Sequence, residues 1–322
     1  MSSNLTLSLN TITSIEWTND FISVNVMQRV FADMDENFLA ITALVTVAYQ
    51  LIFFVITAAL RFDKVTDFAG ATNFVILALL TAILKRTWHF RQVIATLMVV
   101  IWGLRLAFFL LLRILQWGED RRLDKMRNNL SMLAVFWSLQ ALWVWTVSLP
   151  VTLVNASNGN PSLQFEDIIG WSIYLIGLLI EAISDQQKLK FKEDSTNKGR
   201  WCNVGLWKWS RHPNYFGEIL LWWGVFVASL PVLTGSSKWV AVTGPIFITA
   251  LLLFLSGIPL LEYSADKKFG GLVEYRYYKR MTSPLVLVPP AIYGKLPTVF
   301  KQIFLLEFPL YSRNLSAERT LH

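Results

Sequence analysis

The chain has 322 residues, 54% of them hydrophobic, with a mean hydropathy of +0.45 and a net charge of +7. A soluble globule is about 45–50% apolar even with glycine counted, so this composition belongs to a membrane protein. One cysteine, Cys202, excludes an intrachain disulfide framework and a cysteine-built metal site, and three histidines are too few for the histidine-rich di-iron hydroxylases and desaturases.

Residues 1–37 form an acidic N-terminal segment, with Glu16, Asp20, Asp33, Asp35 and Glu36 against Arg29. That pattern is neither a secretory signal nor a transit peptide, so the first apolar run is expected to remain as an anchor. A hydrocarbon core needs about 20 apolar residues of helix. Seven runs approach this: Phe38–Leu60, Phe68–Leu84, Val93–Leu112, Ser131–Leu153, Ile168–Ile183, Tyr215–Leu233 and Trp239–Leu261. The second and fifth are the shortest. The expectation is an all-α polytopic membrane protein of about seven transmembrane helices, with short cytosolic helices and loops. Its membrane domain covers 38–290. The tail, 291–322, includes the apolar stretch 300–311, too short to span and placed in the interface.

With all seven runs crossing, one face holds five cations and the other twenty-three, the latter mostly in 113–130, 184–214 and 262–290. The positive-inside rule puts that face, and the C-terminus, in the cytosol. Asn155-Ala-Ser then falls on a non-cytosolic loop as a glycan acceptor.

Three polar clusters share the cationic face. In the first, Trp102 to Arg122, Arg105 lies inside an apolar helix, where an unpaired arginine costs about 2.5–3.5 kcal/mol and calls for an acid, a carbonyl or a bound anion. Arg113 lies two turns further on, and snorkelling to headgroups explains it equally well. Asp120 and Arg121 follow. In the second, Glu181, Asp185, Lys188 and Lys192 fall at i, i+4, i+7 and i+11, one helical stripe, a spacing that plain acid–lysine support also produces. The third is Trp207 to Glu218, WKWSRHPNYFGE. Pro213 suits the first position of a helix, which leaves free N–H groups beside Arg211 and His212, the makings of an anion site. Asn214, Tyr215 and Glu218 lie on one side of that first turn. Beyond the last run, Tyr275 and Tyr278 share a helical side.

SRHPNYFGE, preceded by Glu181–Lys192 and followed by EYSADKK and YRYYKRMTSP, resembles the C-terminal domain of the steroid 5-alpha-reductase-like membrane reductases, and more closely their domain-of-unknown-function branch. The resemblance is strongest over about 102–289. It implies a multi-helix enzyme that binds NADPH from the cytosolic side and reduces a carbon–carbon double bond of a small hydrophobic, steroid- or lipid-like substrate. It also implies that Arg113, Asp120 and Arg121 flank the adenine ribose and phosphates, with Asp185, Lys188 and Lys192 along the cleft. Arg211, Asn214 and Tyr215 would hold the diphosphate and nicotinamide ends. Arg105, His212, Glu218, Tyr275 and Tyr278 complete the expected cofactor-binding set. The family's substrate-contacting acid in the N-terminal half has no counterpart here, which leaves Tyr49, Glu181 and Tyr174 as catalytic candidates. Isoprenylcysteine methyltransferases share the Arg-His-Pro element but bind S-adenosylmethionine, so a lipid methyltransferase stays open, as does a non-catalytic membrane subunit. No metal and no nucleic-acid partner is expected, and the setting implied is the endoplasmic reticulum.

Overall fold

The computed structural model describes residues 35–60, 66–117, 129–312 and 315, and among these every regular element is helical. Six helices carry the apolar bulk or its continuation: α1 Leu39–Leu60, α2 Thr66–Lys85, α3 Phe90–Trp117, α4 Leu130–Ala156, α5 Phe165–Glu193 and α6 Pro213–Ser229. Then come α7 Ser236–Ala250, a π-helical turn at Leu251–Leu255, and α8 Ile258–Phe269. Three short helices close the chain: α9 Val273–Met281, α10 Pro290–Tyr293 and α11 Thr298–Phe304.

Local chemistry sets several of these boundaries. Asp35 accepts from the amides of Leu39 and Ile41, both at 2.8 Å, and opens α1. Asn129 caps α4 through the Met132 amide. Asp167 folds back onto the Gln164 amide and opens α5. The same carboxylate takes two 2.7 Å bonds from Arg91 of α3, a fully buried pair that ties α3 to α5.

Six segments are long and apolar enough to cross a membrane: Leu39–Ala59, Phe68–Lys85, Phe90–Leu112, Leu130–Ala156, Phe165–Glu193 and Ser236–Phe269. The sixth expected run is the exception. Its helix, α6, stops after 17 residues because the chain turns at Leu230 and Pro231, so it is about 25 Å long, at the lower limit for a span. The run expected at 239–261 is longer than anticipated, since α7, the π turn and α8 form one apolar path. Leu44, Val47, Leu51, Ile52 and Val55 of α1 are all more than half exposed, an apolar outer surface that fits lipid rather than water.

One expectation is corrected outright. Asn155 is not on a loop but in the last turn of α4, fully buried, with its amide donating to Ala78 O, Thr81 Oγ1 and Thr96 Oγ1 at 2.9–3.2 Å. That nitrogen is unavailable to a glycan.

The core is centred where α5 lies against α6. Glycines at matching intervals, Gly170 and Gly177 on α5 with Gly217 and Gly224 on α6, bring the two backbones together. Above them Phe74, Trp102, Trp143 and Trp222 form an aromatic nest, with centroids 5.0–5.3 Å apart around Phe74 and between Trp102 and Trp222. This rigid α3–α5–α6 block carries the polar clusters.

Candidate functional site

The intramembrane arginine finds acids. Arg105 on α3 bonds Asp185 at 2.9 Å and Glu181 through a short charge-assisted contact, both on α5. Trp102, one turn earlier on α3, donates its indole N–H to Glu181 at 3.2 Å. Glu218 of α6 stands within electrostatic range of Arg105, Asp185 and Glu181. Four residues from three helices therefore meet around one guanidinium, the arrangement that makes a charge tolerable in the bilayer. Tyr174 is nearby, but its hydroxyl is committed to Met98 O at 2.6 Å and acts as an α3–α5 tie. Tyr49 lies elsewhere, sharing a 2.8 Å bond with Thr72 in a side cluster with Trp137.

The α6 N-terminus is as expected, with Pro213 in its first turn. The fate of its two flanking residues differs from the expectation of an open anion clamp. Arg211 is buried and donates to Glu262 at 3.1 Å, to Lys279 O at 2.7 Å, to Thr282 O at 2.9 Å and to Glu307 at 3.0 Å. It anchors the floor of a pocket by pulling α8, α9 and the C-terminal tail together. Lys279, equally buried, bonds Glu262, Asp266 and Tyr311 O. Tyr275 donates to Asp266 at 3.0 Å, and Tyr293 closes the network on Glu307.

His212 places Nε2 2.7 Å from Glu262, while Nδ1 is buried with no hydrogen-bond partner. Burial lowers its pKa below the ordinary imidazole value, outweighing the hydrogen bond and charge of Glu262 that pull it up, with smaller lowering from Lys188 and Arg211; the ring is then neutral near pH 7 and the proton sits on Nε2, facing the carboxylate. The unfolded chain binds this proton below about pH 6.5, and the native state does so only at lower pH. Stability is therefore expected to fall as pH drops below about 6.5. Thermal denaturation of the detergent-solubilised protein from pH 8 to pH 5 tests this, and His212→Gln, which keeps a donor to Glu262, should flatten the dependence in that window.

Above this floor lies a cavity of about 360 Å³. Lys188, Lys192, Lys198, Arg200 and Lys268 border it. Its walls are aromatic: Trp201 lies 5.3–6.0 Å from Phe269, Tyr275 and Tyr278, and Lys188 stands 4.4 Å over Trp207. Cys202 also lines it, its thiol pKa pushed up by burial. The cavity brings together Lys188, Lys192, Arg211, His212, Tyr275 and Tyr278 of the expected set. Asp185, Arg105, Glu181 and Glu218 occupy the junction deeper along α5, and Asn214 Oδ1, in the first turn of α6, is buried with no hydrogen-bond partner. Tyr215 stacks on His212 with centroids 5.8 Å apart. Asp120, Arg121 and the Arg113 side chain fall outside the described residues.

Sequence reasoning missed Lys198, Arg200, Trp201 and Lys268 as pocket residues, and Glu262, Lys279 and Glu307 as the floor. A signal for the first group existed: Lys198-Gly199-Arg200 is a glycine at φ +84° between two cations, a turn that presents both.

Helical architecture and site together define a polytopic membrane protein with a cationic, aromatic-walled pocket at one end of its helices. The chain belongs to the protein family of unknown function DUF1295, whose model matches residues 53–282. It is similar to an uncharacterized protein of Schizosaccharomyces pombe, 26% identical over 101 residues, a match covering 26% of this chain and 29% of that protein's length. No solved structure matches.

Proposed function

We propose that this protein is an NADPH-dependent membrane reductase that acts on a carbon–carbon double bond of a lipid-like substrate, with its pocket and C-terminus on the cytosolic side of the endoplasmic reticulum membrane. The observation that carries the reading is the pocket: five cationic side chains around a 360 Å³ aromatic cavity, within the roughly 300–1,000 Å³ range of cofactor sites. A ligand with several phosphates is the chemistry that uses such a rim, each charge-assisted contact contributing about 1.5–3 kcal/mol.

The α5 stripe supports the direction of the arrangement. Lys192 and Lys188 border the pocket, and 11 residues from Lys192, about 16 Å along the helix, Glu181 stands among α3 and α6 in the apolar bundle. NADPH, when bound, supplies a hydride. The protein's part is to neutralise its phosphates at Lys188, Lys192, Lys198, Arg200 and Lys268 and to hold Glu181 and Glu218 against Arg105 at the membrane end. There they can orient a substrate oxygen or hold a proton. Of the three catalytic candidates, Glu181 is the one this reading retains, because both tyrosine hydroxyls bridge helices.

A second reading, S-adenosylmethionine-dependent methyl transfer, is favoured by the aromatic wall, which would accept a sulfonium cation. It gives the five bordering cations no purpose. Equilibrium titration of the detergent-purified protein with NADPH, NADH and S-adenosylmethionine, read by tryptophan fluorescence, separates the two. NADPH is expected to bind at least tenfold more tightly than NADH, and Lys198→Glu/Arg200→Glu to weaken it about 100-fold, as two lost charge-assisted contacts require. Binding of S-adenosylmethionine alone would transfer the protein to the methyltransferases. Binding of none of them would end both readings.

A further inference from the structure

A second cavity, of about 710 Å³, lies at the other end of the bundle, where α1 begins, α2 and α4 end, and α6 hands over to α7. It is remote from the cationic pocket. Lys188 and Lys192 are in the last turns of α5, and that helix of 29 residues is about 43 Å long. The floor of the second cavity is apolar and buried, from Phe38, Leu153, Ala156 and Leu233. Its rim is polar.

The rim holds charge that nothing in the described protein answers. Glu36 and Lys85 line the cavity within electrostatic range of each other but form no ion pair. Their side chains, with those of Asn37, Asn158, Thr234 and Ser236, make no hydrogen bond among the described residues. The other end of the bundle differs: there Arg211 and Lys279 are committed to carboxylates and carbonyls of the chain itself. A carboxylate and an ammonium left open on one rim complement a ligand that carries both signs of charge.

The backbone of the rim is held in an unusual conformation. Four non-glycine residues among those described have positive φ. Phe38, at +57°, lines the cavity, and Arg86 and Trp88, at +57° and +52°, bracket Thr87, which also lines it. L side chains stay in that region only where the surrounding structure fixes them, and ligand clamps are among the places where such positions gather.

Depth then selects the kind of zwitterion. The spans Leu39–Ala59 and Ser236–Phe269 start, and Phe68–Lys85 and Leu130–Ala156 stop, at residues that line the cavity or adjoin it. The cavity therefore sits just outside the hydrocarbon core, at the level of lipid headgroups.

We infer that this cavity is a headgroup site for a phospholipid of the facing leaflet that carries a primary ammonium, the phosphoethanolamine type. The ammonium donates to Glu36, and the phosphate lies against Lys85 and the Ser236 hydroxyl. A choline ammonium has no N–H to donate and a glycerol headgroup has no cation, so neither answers Glu36 in the same way. The inference is independent of the cofactor reading, since none of these residues belongs to that pocket.

Native mass spectrometry of the full-length detergent-purified protein tests it, through the dissociation constant of the first bound molecule of dioctanoyl phosphatidylethanolamine, phosphatidylcholine or phosphatidylglycerol. The ethanolamine lipid is expected to bind at least about tenfold more tightly than either of the others, as one added charge-assisted hydrogen bond requires. Glu36→Gln should weaken it about tenfold and bring it level with the choline lipid. Lys85→Gln should weaken the ethanolamine and glycerol lipids by a similar factor. Both side chains are unbonded and at the rim, so the variants should fold, and an unchanged melting curve checks this. Lys198→Glu/Arg200→Glu, which is expected to disable the cofactor pocket, should leave all three lipids unaffected. Equal binding of the three lipids, or a preference that survives in Glu36→Gln, overturns the assignment. Soluble glycerophosphoethanolamine separates the two sources of the group. Displacement of the lipid at equal concentration would overturn the membrane source, whereas little displacement at about 100-fold excess supports it. Lipid preference lost while NADPH still binds would sink this inference alone, and the converse would sink the cofactor reading alone.

Discussion

An Arg211→Ala variant is expected to lose about 3–5 kcal/mol of stability and to yield little folded protein after extraction. The size of the effect follows from what the guanidinium serves. Two carboxylates, Glu262 and Glu307, and two backbone carbonyls, of Lys279 and Thr282, converge on it, and the side chain is almost fully buried. Alanine takes the cation from Glu307, leaving it the Tyr293 hydroxyl, and strands two carbonyls in an apolar setting. Lysine should rescue little, because one ammonium cannot reproduce a planar fork that spans both acids and both carbonyls. Fluorescence-detected gel filtration with a melting curve is the direct measurement. An unchanged melting temperature in Arg211→Ala would show that the floor network contributes nothing to stability. The variant is for the same reason a poor probe of ligand binding, and the exposed Lys198 and Arg200 are the better choice.

The second large effect is expected at the α5–α6 seam. A Cβ on Gly177 would lie 2.6 Å from Leu221 N and 2.7 Å from Gly217 O, and one on Gly170 would lie 2.3 Å from Ala228 N. A Cβ on Gly217 or Gly224 would lie 2.6 Å from the Glu181 amide or 2.4 Å from the Tyr174 amide. These neighbours are backbone atoms of packed helices, so they cannot swing aside, and the helices must separate. Gly177→Ala is expected to cost about 1–3 kcal/mol, with Gly170→Ala at the upper end of that range. Because Glu181 is one turn from Gly177, the displacement also loosens the Arg105 junction. Reduced affinity for nucleotide is then expected in a variant that touches no ligand. Gly271→Ala is the control, since its Cβ meets nothing within 4 Å and the position is exposed. A Gly177→Ala protein as stable as Gly271→Ala would mean that the seam is looser than its geometry.

Most of the scaffold was legible in the sequence because apolar run length is a direct consequence of bilayer thickness. The start of α6 was legible too, since Pro213 leaves few alternatives, and the Glu181–Lys192 stripe followed from helical period alone. The end of α6 was not, because Val232 and Leu233 prolong the apolar run past a turn that only tertiary packing fixes. Asn155 misled for a related reason: a sequon states the acceptor but not whether the helix continues through it. The pocket floor was hidden by distance along the chain. Arg211 and Glu307 are 96 residues apart, and nothing in either neighbourhood announces the other. Arg105 was half legible: an intramembrane cation demands a partner, but the sequence left an acid, a carbonyl and a bound anion open, and the fold supplies Glu181 and Asp185 from α5.

The reliance of the floor on Glu307 and Tyr311 has a consequence for how the protein is made. Glu262 and Asp266 precede Lys279 in the chain and neutralise it at once, but Arg211 receives its second carboxylate, Glu307, only 96 residues after it leaves the ribosome. Partner capture by the tail is therefore the closing event of biosynthesis, and a chain interrupted anywhere between Lys279 and Glu307 carries a complete set of membrane helices around an unfinished site. Such a product would leave Arg211 with one of its two carboxylates and Lys279 without the Tyr311 carbonyl, an under-bonded floor of the kind that cellular quality control removes.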